Sequence, residues 1–123
     1  MLNLDTHVLI FAVKDDLRPA ERNLLSSNRW SVSAIVLWEL AKLVQLRRID
    51  IDLYDRDVKH VLAQLHVWPI ALEIARASTN LDFRGDPADE IIAATSIIHD
   101  IPLLTRDHTI LRSHIVPLAT TER

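Results

Sequence analysis

The sequence predicts an α/β fold in which a short parallel sheet is covered on both faces by helices. Short apolar segments alternate along the chain with longer segments that carry helical signals. The apolar segments are too short and too hydrophobic to leave one face in water, which is typical of strands in a parallel sheet. With 123 residues, of which 49% are hydrophobic and 25% charged, the chain has the size and composition of one folded domain over residues 1–123.

The first half of the chain contains two predicted strands and three predicted helices. Residues 2–4 form a short apolar segment that ends at Asp5, and a helix is expected to follow through Lys14. Pro19 suits the first turn of a second helix, which is predicted to end near residue 25. Residues 30–33 are predicted to form a strand. Residues 34–48 contain neither Gly nor Pro and end in two arginines, which favour a helix C-terminus.

The second half begins with the clearest amphipathic helix, predicted over residues 55–66. Its apolar residues follow the i, i+3, i+4, i+7 spacing of one helix face: Val58, Val61, Leu62 and Leu65. Residues 67–70 are predicted to be extended, and residues 71–79 to be helical. A long helix is expected to begin at Pro87, and two further strands are predicted at 101–105 and 115–118.

The segment GDPADEIIAATS, residues 85–96, places three acids at the start of an apolar helix. Asp86 precedes a proline, which is typical of a helix N-cap, and Glu90 is expected to face solvent. Asp89 could reach back to cap the same helix. Its helical neighbours are small or apolar, however, and a carboxylate held over such a surface needs a partner.

Three other acids occupy positions that raise the same question. Glu39 lies on or beside the apolar stripe of the predicted 34–48 helix, where a salt bridge to Lys42 or to a nearby arginine is the alternative to a functional role. Asp5 and Asp107 each follow a predicted strand, and ligands bind at the carboxyl ends of parallel strands. Either acid alone could merely cap the next helix.

If these acids converge on one edge of the sheet, they require cations. Two carboxylates about 4 Å apart repel by roughly 4 kcal/mol at an effective dielectric near 20. The chain has no cysteine, and none of its six histidines lies three or four residues from another. Oxygen ligands without thiolates or paired imidazoles favour Mg²⁺ or Mn²⁺ over zinc, and such ions suggest phosphoryl chemistry.

Charge and composition limit the location and the partners of the chain. The formal net charge of −3 argues against non-specific adhesion to nucleic acid through an overall positive field, but it leaves a local nucleic-acid site possible. The absence of cysteine is compatible with a reducing cytosol. Residues 8–13 form only a short apolar run without a basic leader, so neither a signal peptide nor a membrane span is expected there. We therefore expect a cytoplasmic protein.

Four motifs together resemble the PIN-domain ribonucleases of the VapC toxin type. They are LDTHVLI from residue 4, SAIVLWELAKL from residue 33, DPADEIIAATS from residue 86 and PLLTRDHTI from residue 102. Each motif alone is weak, but all four occur in the family's order across residues 2–118. The resemblance implies a three-layer α/β/α sandwich with a short parallel sheet. It also implies an acidic pocket that holds Mg²⁺ or Mn²⁺ and cleaves single-stranded RNA.

The resemblance assigns roles to individual residues and implies partners for the chain. It implies that four acids serve as catalytic residues and metal ligands: Asp5, Glu39, Asp89 and Asp107. Supporting positions are matched by Thr6 and Thr105. Arg84 and Arg106 lie beside matched acids and are expected to contact substrate phosphates, with ordinary surface charge as the alternative. Many relatives carry an arginine where Glu90 stands here. A homodimer and a cognate antitoxin protein are implied as well.

Two other functions are compatible with parts of this pattern. A PIN-like module could keep the fold and serve only in protein binding, although retention of all four acids argues against this. Haloacid-dehalogenase-type phosphatases also begin with an aspartate after the first strand. They need a second acid two residues later, where this sequence has His7.

Overall fold

Four short parallel strands form the centre of the computed structural model, which describes residues 1–120. The strands are β1 (Leu2–Leu4), β2 (Trp30–Ser33), β3 (His66–Trp68) and β4 (Leu103–Leu104). Their order across the sheet is β3-β2-β1-β4, and every neighbouring pair is parallel. The carboxyl ends of β1 and β4 therefore lie side by side at one edge of the sheet. The predicted domain reaches residue 123, and residues 121–123 lie outside the described part.

Helices connect the strands and complete the predicted three-layer α/β/α sandwich. In chain order they are α1 (Thr6–Val13), α2 (Pro19–Ser26), α3 (Ala34–Gln45), α4 (Arg56–Ala63), α5 (Leu72–Ala77), α6 (Pro87–His99) and α7 (His108–Leu111). Helix α3 packs against α1 and α6, and α5 packs against α6. No helix within residues 1–120 has the length and apolar character needed to cross a membrane.

The core forms where apolar side chains from strands and helices meet. Leu4, Val32 and Leu104 from the sheet are fully buried, and so are Leu9 of α1 and Ile92 of α6. Strands β1 and β4 are buried along their whole length and β2 at all but its first residue, which confirms the prediction that the sheet is covered on both faces, whereas β3 at the edge is partly exposed. This packing holds α1, α3 and α6 rigidly against the sheet, and these three helices carry or follow most of the predicted acids.

The structure differs most clearly from the sequence prediction at the end of α3 and in the segment 115–118. Helix α3 ends at Gln45 and not at residue 48, because Arg47 adopts a left-handed conformation with φ 56° while Arg48 N–H bonds back to the Leu43 carbonyl. The predicted strand at 115–118 is wrong: this segment contributes a single parallel bridge, between Leu118 and Leu103.

Candidate active site

Asp5 lies at the carboxyl end of β1 and is almost completely buried, with 5% of its surface exposed. It is the N-cap of α1, and its Oδ1 accepts a hydrogen bond of 2.7 Å from the Thr6 backbone N–H. The Thr105 hydroxyl donates to Oδ2 at 2.6 Å. Burial raises the pKa of Asp5, while these two hydrogen bonds act in the opposite direction. The carboxyl group is therefore fixed in orientation and costly to keep charged.

Glu39 reaches the same region from the middle of α3. The Thr6 hydroxyl donates a short hydrogen bond to Glu39 Oε1, so Thr6 connects the start of α1 to α3. The alternative salt bridge between Glu39 and Lys42 does not form, because Lys42 Nζ donates to Gln45 at 2.8 Å. Thr6 thus supports two acids at once, through its backbone and its side chain.

Asp107 follows β4 and caps α7. Its Oδ1 accepts hydrogen bonds from the Thr109 and Ile110 backbone N–H groups at 2.8 and 3.1 Å. Thr105 Oγ1 accepts a bond of 3.0 Å from the Asp107 N–H and donates to Asp5. Thr105 therefore connects the two acids that follow neighbouring strands.

Asp89 lies in the first turn of α6 and is half-buried. Within residues 1–120 its side chain makes no hydrogen bond or ion pair. Burial, followed by the negative charges of Asp5, Asp107, Glu39 and Asp86 in that order, raises the pKa of Asp89 to about 7. These contributions show that the four predicted acids lie close enough to repel one another.

Helix α6 is held over the sheet by Asn3, a buried residue of β1 that the sequence did not single out. Its Nδ2 donates to the Ile92 carbonyl at 3.2 Å and to Ser96 Oγ at 2.9 Å. Because Ile92 lies one turn beyond Asp89, these bonds fix the part of α6 that carries this acid. An asparagine in the middle of an apolar strand was the signal that could have identified it.

Two expectations about the start of α6 hold only in part. Asp86 occupies the N-cap position, but its side chain makes no capping hydrogen bond. Glu90 does not simply face solvent: it is half-buried, and its Oε2 accepts a long bond of 3.4 Å from the Gly85 N–H.

All four predicted acids line one cavity of about 360 Å³. The residues that line it are Asp5, His7, Phe11, Glu39, Asp86, Asp89, Arg106 and Asp107. None of the four acids is paired with Lys or Arg in the described part of the chain. A set of four oxygen-bearing acids without cationic partners matches the chemistry of a Mg²⁺ or Mn²⁺ site.

In their observed conformations, the acidic side chains do not form a complete metal site. Among residues 1–120, no group of three acidic or imidazole side chains is arranged to hold an ion. Asp5 uses both oxygens in hydrogen bonds, and Asp107 uses Oδ1 to cap α7. Within residues 1–120, the Asp89 carboxylate, Oε2 of Glu39 and Oδ2 of Asp107 accept no hydrogen bond, so these oxygens are free to turn toward an ion.

The two arginines predicted to contact substrate lie in different surroundings. Arg106 lines the acidic cavity, but its guanidinium is bound to Glu21, a buried residue that the sequence did not reveal. Arg84 is exposed and lines a separate cavity of about 310 Å³ together with Phe83 and Glu90. The structure therefore does not bring Arg84 to the acids.

Comparison with known proteins identifies the relatives of this fold. Residues 3–113 match the PIN domain family. The chain is 33% identical over 125 residues to ribonuclease VapC22 of Mycobacterium tuberculosis, an alignment that covers 96% of this chain and 95% of the relative.

Two solved structures share the architecture at lower identity. One is a toxin-antitoxin complex from Klebsiella pneumoniae, with a TM-score of 0.74, 20% identity, and 99% and 98% of the two chains covered. The other is VapBC2 from Rickettsia felis bound to a DNA fragment from its promoter, with a TM-score of 0.73, 19% identity, and 97% and 98% covered.

Proposed function

Because the chain belongs to the PIN-domain family and to its VapC group, we propose that it is a metal-dependent endoribonuclease that hydrolyses single-stranded RNA. The observation that carries this proposal is the convergence of four acids, none of them paired with Lys or Arg within residues 1–120, on one cavity. The printed name of the 33% identical relative, a ribonuclease, supports the choice of RNA as substrate.

The proposed metal is Mg²⁺ or Mn²⁺, held by Asp5, Glu39, Asp89 and Asp107. When bound, such an ion activates water and neutralises charge that develops on a phosphodiester. Burial and then the charges of the neighbouring carboxylates raise the pKa of Asp89 to about 7, and a bound cation would relieve the repulsion among these charges.

The chain's own residues orient the acids around the reacting phosphate. Thr6 holds Asp5 through its backbone N–H and Glu39 through its hydroxyl. Thr105 holds Asp5 and bonds to the backbone of Asp107. Because both threonines are buried, these hydrogen bonds do not compete with bulk water, and the carboxylates keep their orientation.

The proposed RNA path continues from the acids into a basic cleft of about 610 Å³ at the ends of α1 and α3. Three cations, Lys14, Arg47 and Arg48, line this cleft together with one acid, Asp50, and none of the three cations forms an ion pair within residues 1–120. Lysine and arginine side chains along a groove are typical contacts for the backbone of single-stranded nucleic acid. The cleft supplies positive charge on a chain whose net charge is −3.

We further propose that the protein is the toxin of a toxin–antitoxin pair, that it forms a homodimer, and that it acts on RNA in the cytoplasm. The titles of the two structural neighbours name a toxin-antitoxin complex and VapBC2, which supports an antitoxin partner. Trp38 on α3 is 57% exposed next to Glu39 and offers an apolar contact to such a partner, whereas Leu9 and Ile10 belong to the core.

The test is cleavage of a mixed single-stranded RNA with Mg²⁺ or Mn²⁺, repeated after chelation. We expect the wild-type protein to cleave and chelation to stop it. Asp5→Asn should abolish cleavage and leave folding intact, because it keeps the shape of the side chain but removes its charge. Asp100→Asn is the matched control: Asp100 is exposed and left-handed, a conformation that Asn also adopts.

Two results would contradict the proposal. Undiminished cleavage by Asp5→Asn would remove this residue from the site. A well-folded wild-type protein that neither cleaves RNA nor responds to either ion would favour the alternative of an inactive PIN-like binding module.

A further inference from the structure

Glu21 is a carboxylate buried in α2, with only 2% of its surface exposed. An ionised carboxylate in such a place is strongly destabilising unless it is paired. Its partner is Arg106, which donates from Nε to Oε2 at 2.8 Å and from Nη2 to Oε1 at 2.6 Å. This two-point geometry lowers the pKa of Glu21, with its bond to Arg106 as the largest cause, and keeps the group charged.

Further contacts fix the guanidinium group on other sides. It stacks over the Phe11 ring, with its central carbon 3.8 Å from the ring centroid. Nη2 also lies 3.4 Å from the Asp16 carbonyl. Glu21 in turn accepts a bond of 2.8 Å from the Arg18 N–H, at the start of α2. The ion pair thus joins α2 and the end of α1 to the segment that follows β4.

Arg106 lies in the chain between two residues of the acidic site. On one side is Thr105, whose hydroxyl donates to Asp5, and on the other is Asp107. Any shift of the Arg106 backbone would move both neighbours. The salt bridge therefore holds the β4–α7 connection in the position from which two acids are oriented.

We propose that Glu21 and Arg106 form a positioning pair for the acidic site, and that Arg106 does not itself bind substrate. This inference rests on the proposed function. It replaces the expectation that Arg106 contacts RNA, because Nε and Nη2 are bonded to Glu21 and one face of the guanidinium covers Phe11. A buried carboxylate more than eighty residues from Asp107 along the chain thereby controls the geometry of the site.

The experiment compares Glu21→Gln with wild type in two measurements: Mn²⁺ affinity by electron paramagnetic resonance, and kcat and KM for a single-stranded RNA. Groups that orient metal ligands typically contribute 10- to 100-fold, so we expect Mn²⁺ affinity and kcat each to fall by about 10-fold or more. KM should stay within about twofold, because no substrate contact is lost. Asp15→Asn, which breaks the exposed 3.4 Å Arg22–Asp15 salt bridge, is the matched control and should change neither quantity.

A second variant separates positioning from simple stabilisation. Removing one partner of a buried ion pair is strongly destabilising, whereas replacing both with apolar residues is often neutral. The double variant Glu21→Met/Arg106→Met should therefore fold, while its Mn²⁺ affinity and kcat stay as low as those of Glu21→Gln. If affinity and kcat recover together with folding, the pair is only structural and the proposal is overturned.

Three other outcomes would overturn the inference, and the last of them would also overturn the proposed function. If Glu21→Gln raises KM alone and leaves the Mn²⁺ affinity unchanged, the inference is overturned and Arg106 is again a candidate substrate contact. An active wild type with an unaffected Glu21→Gln variant would overturn this inference alone. A wild type that neither binds Mn²⁺ nor cleaves RNA would overturn the proposed function and this inference with it.

Discussion

At the scale of single residues, Asp89 shows how the acidic cavity affects stability. Burial and neighbouring carboxylates raise its pKa to about 7, far above the ordinary value of 3.8. The folded state therefore binds this proton more readily than the unfolded chain does. For this group, stability is lowest above pH 7 and increases as the pH falls from about 7 toward 3.8.

We expect Asp89→Asn to raise the free energy of unfolding of the metal-free protein at pH 8. The difference between a pKa of about 7 and the ordinary value of 3.8 corresponds to at most roughly 4 kcal/mol of unfolding free energy. Coupling among the acids should reduce the stability gained by the variant to about 1–3 kcal/mol. Urea unfolding of both proteins with a chelator present, at pH 8 and at pH 5, measures this difference in unfolding free energy. The difference should be smaller at pH 5, and an equal difference at the two pH values would contradict this explanation.

The sequence made the four acids predictable because each has a local signal. Asp5 and Asp107 follow apolar strands, while Glu39 and Asp89 lie beside apolar helix surfaces. Glu21 has no such signal, because its partner Arg106 is 85 positions away and the two meet only in the folded chain. A motif can therefore identify the acids of the cavity, but not an ion pair between residues far apart in the sequence.

At the scale of elements, the ends of α1 and α3 connect the acidic site to the basic cleft. The Thr6 hydroxyl at the start of α1 donates to Glu39 in the middle of α3, and Lys14 and Arg47 line the cleft. Lys14 is the C-cap of α1, and Arg47 lies just beyond the C-cap of α3. The two helices thus have residues of the acidic site before their ends and cations of the cleft where they end.

If RNA follows this path, removing the cations should weaken its salt-dependent binding. We expect the variant Arg47→Ala/Arg48→Ala to reduce the slope of log affinity against log salt by about 1.4, or about 0.7 for each lost phosphate contact. The measurement is RNA binding in an Asp5→Asn background, where the RNA stays intact.

The control for this experiment is Arg56→Ala/Lys59→Ala. These two cations of α4 line a different cleft. If both pairs change the slope equally, the effect is general surface charge and the proposed path is wrong.

Local sequence signals also predicted most elements but not all of their limits. Strands 2–4 and 30–33 were predicted correctly because each has apolar residues at alternate positions that pack into the core. Segment 115–118 is more apolar than either, but Pro117 lacks a backbone donor and the segment forms only one bridge to the sheet. The end of α3 depends on the left-handed Arg47, which propensity does not reveal.

At the scale of the whole molecule, the fold holds together groups that would otherwise separate. The sheet places Asp5 and Asp107 side by side, and α3 and α6 pack Glu39 and Asp89 against them. Repulsion among these carboxylates reduces the stability of the ligand-free protein, as is typical of functional sites. The packing of the core must offset this loss of stability.

A bound divalent ion should convert this repulsion into stabilisation. We expect Mn²⁺ at 100 times its dissociation constant to raise the free energy of unfolding of wild type by about 2.7 kcal/mol, because the ion binds the folded state alone. Asp5→Asn should gain much less, and Asp100→Asn should gain as much as wild type. Urea unfolding at fixed pH, with and without Mn²⁺, measures all three proteins.

Asp89→Asn makes this test sharper because its two effects have opposite signs. Without metal it should be more stable than wild type, since one repelling charge is gone. With Mn²⁺ it should gain less, since one ligand is gone too, so the difference in unfolding free energy between the two proteins should shrink or reverse. If Mn²⁺ stabilises both proteins equally, the ion binds elsewhere and Asp89 is not one of its ligands.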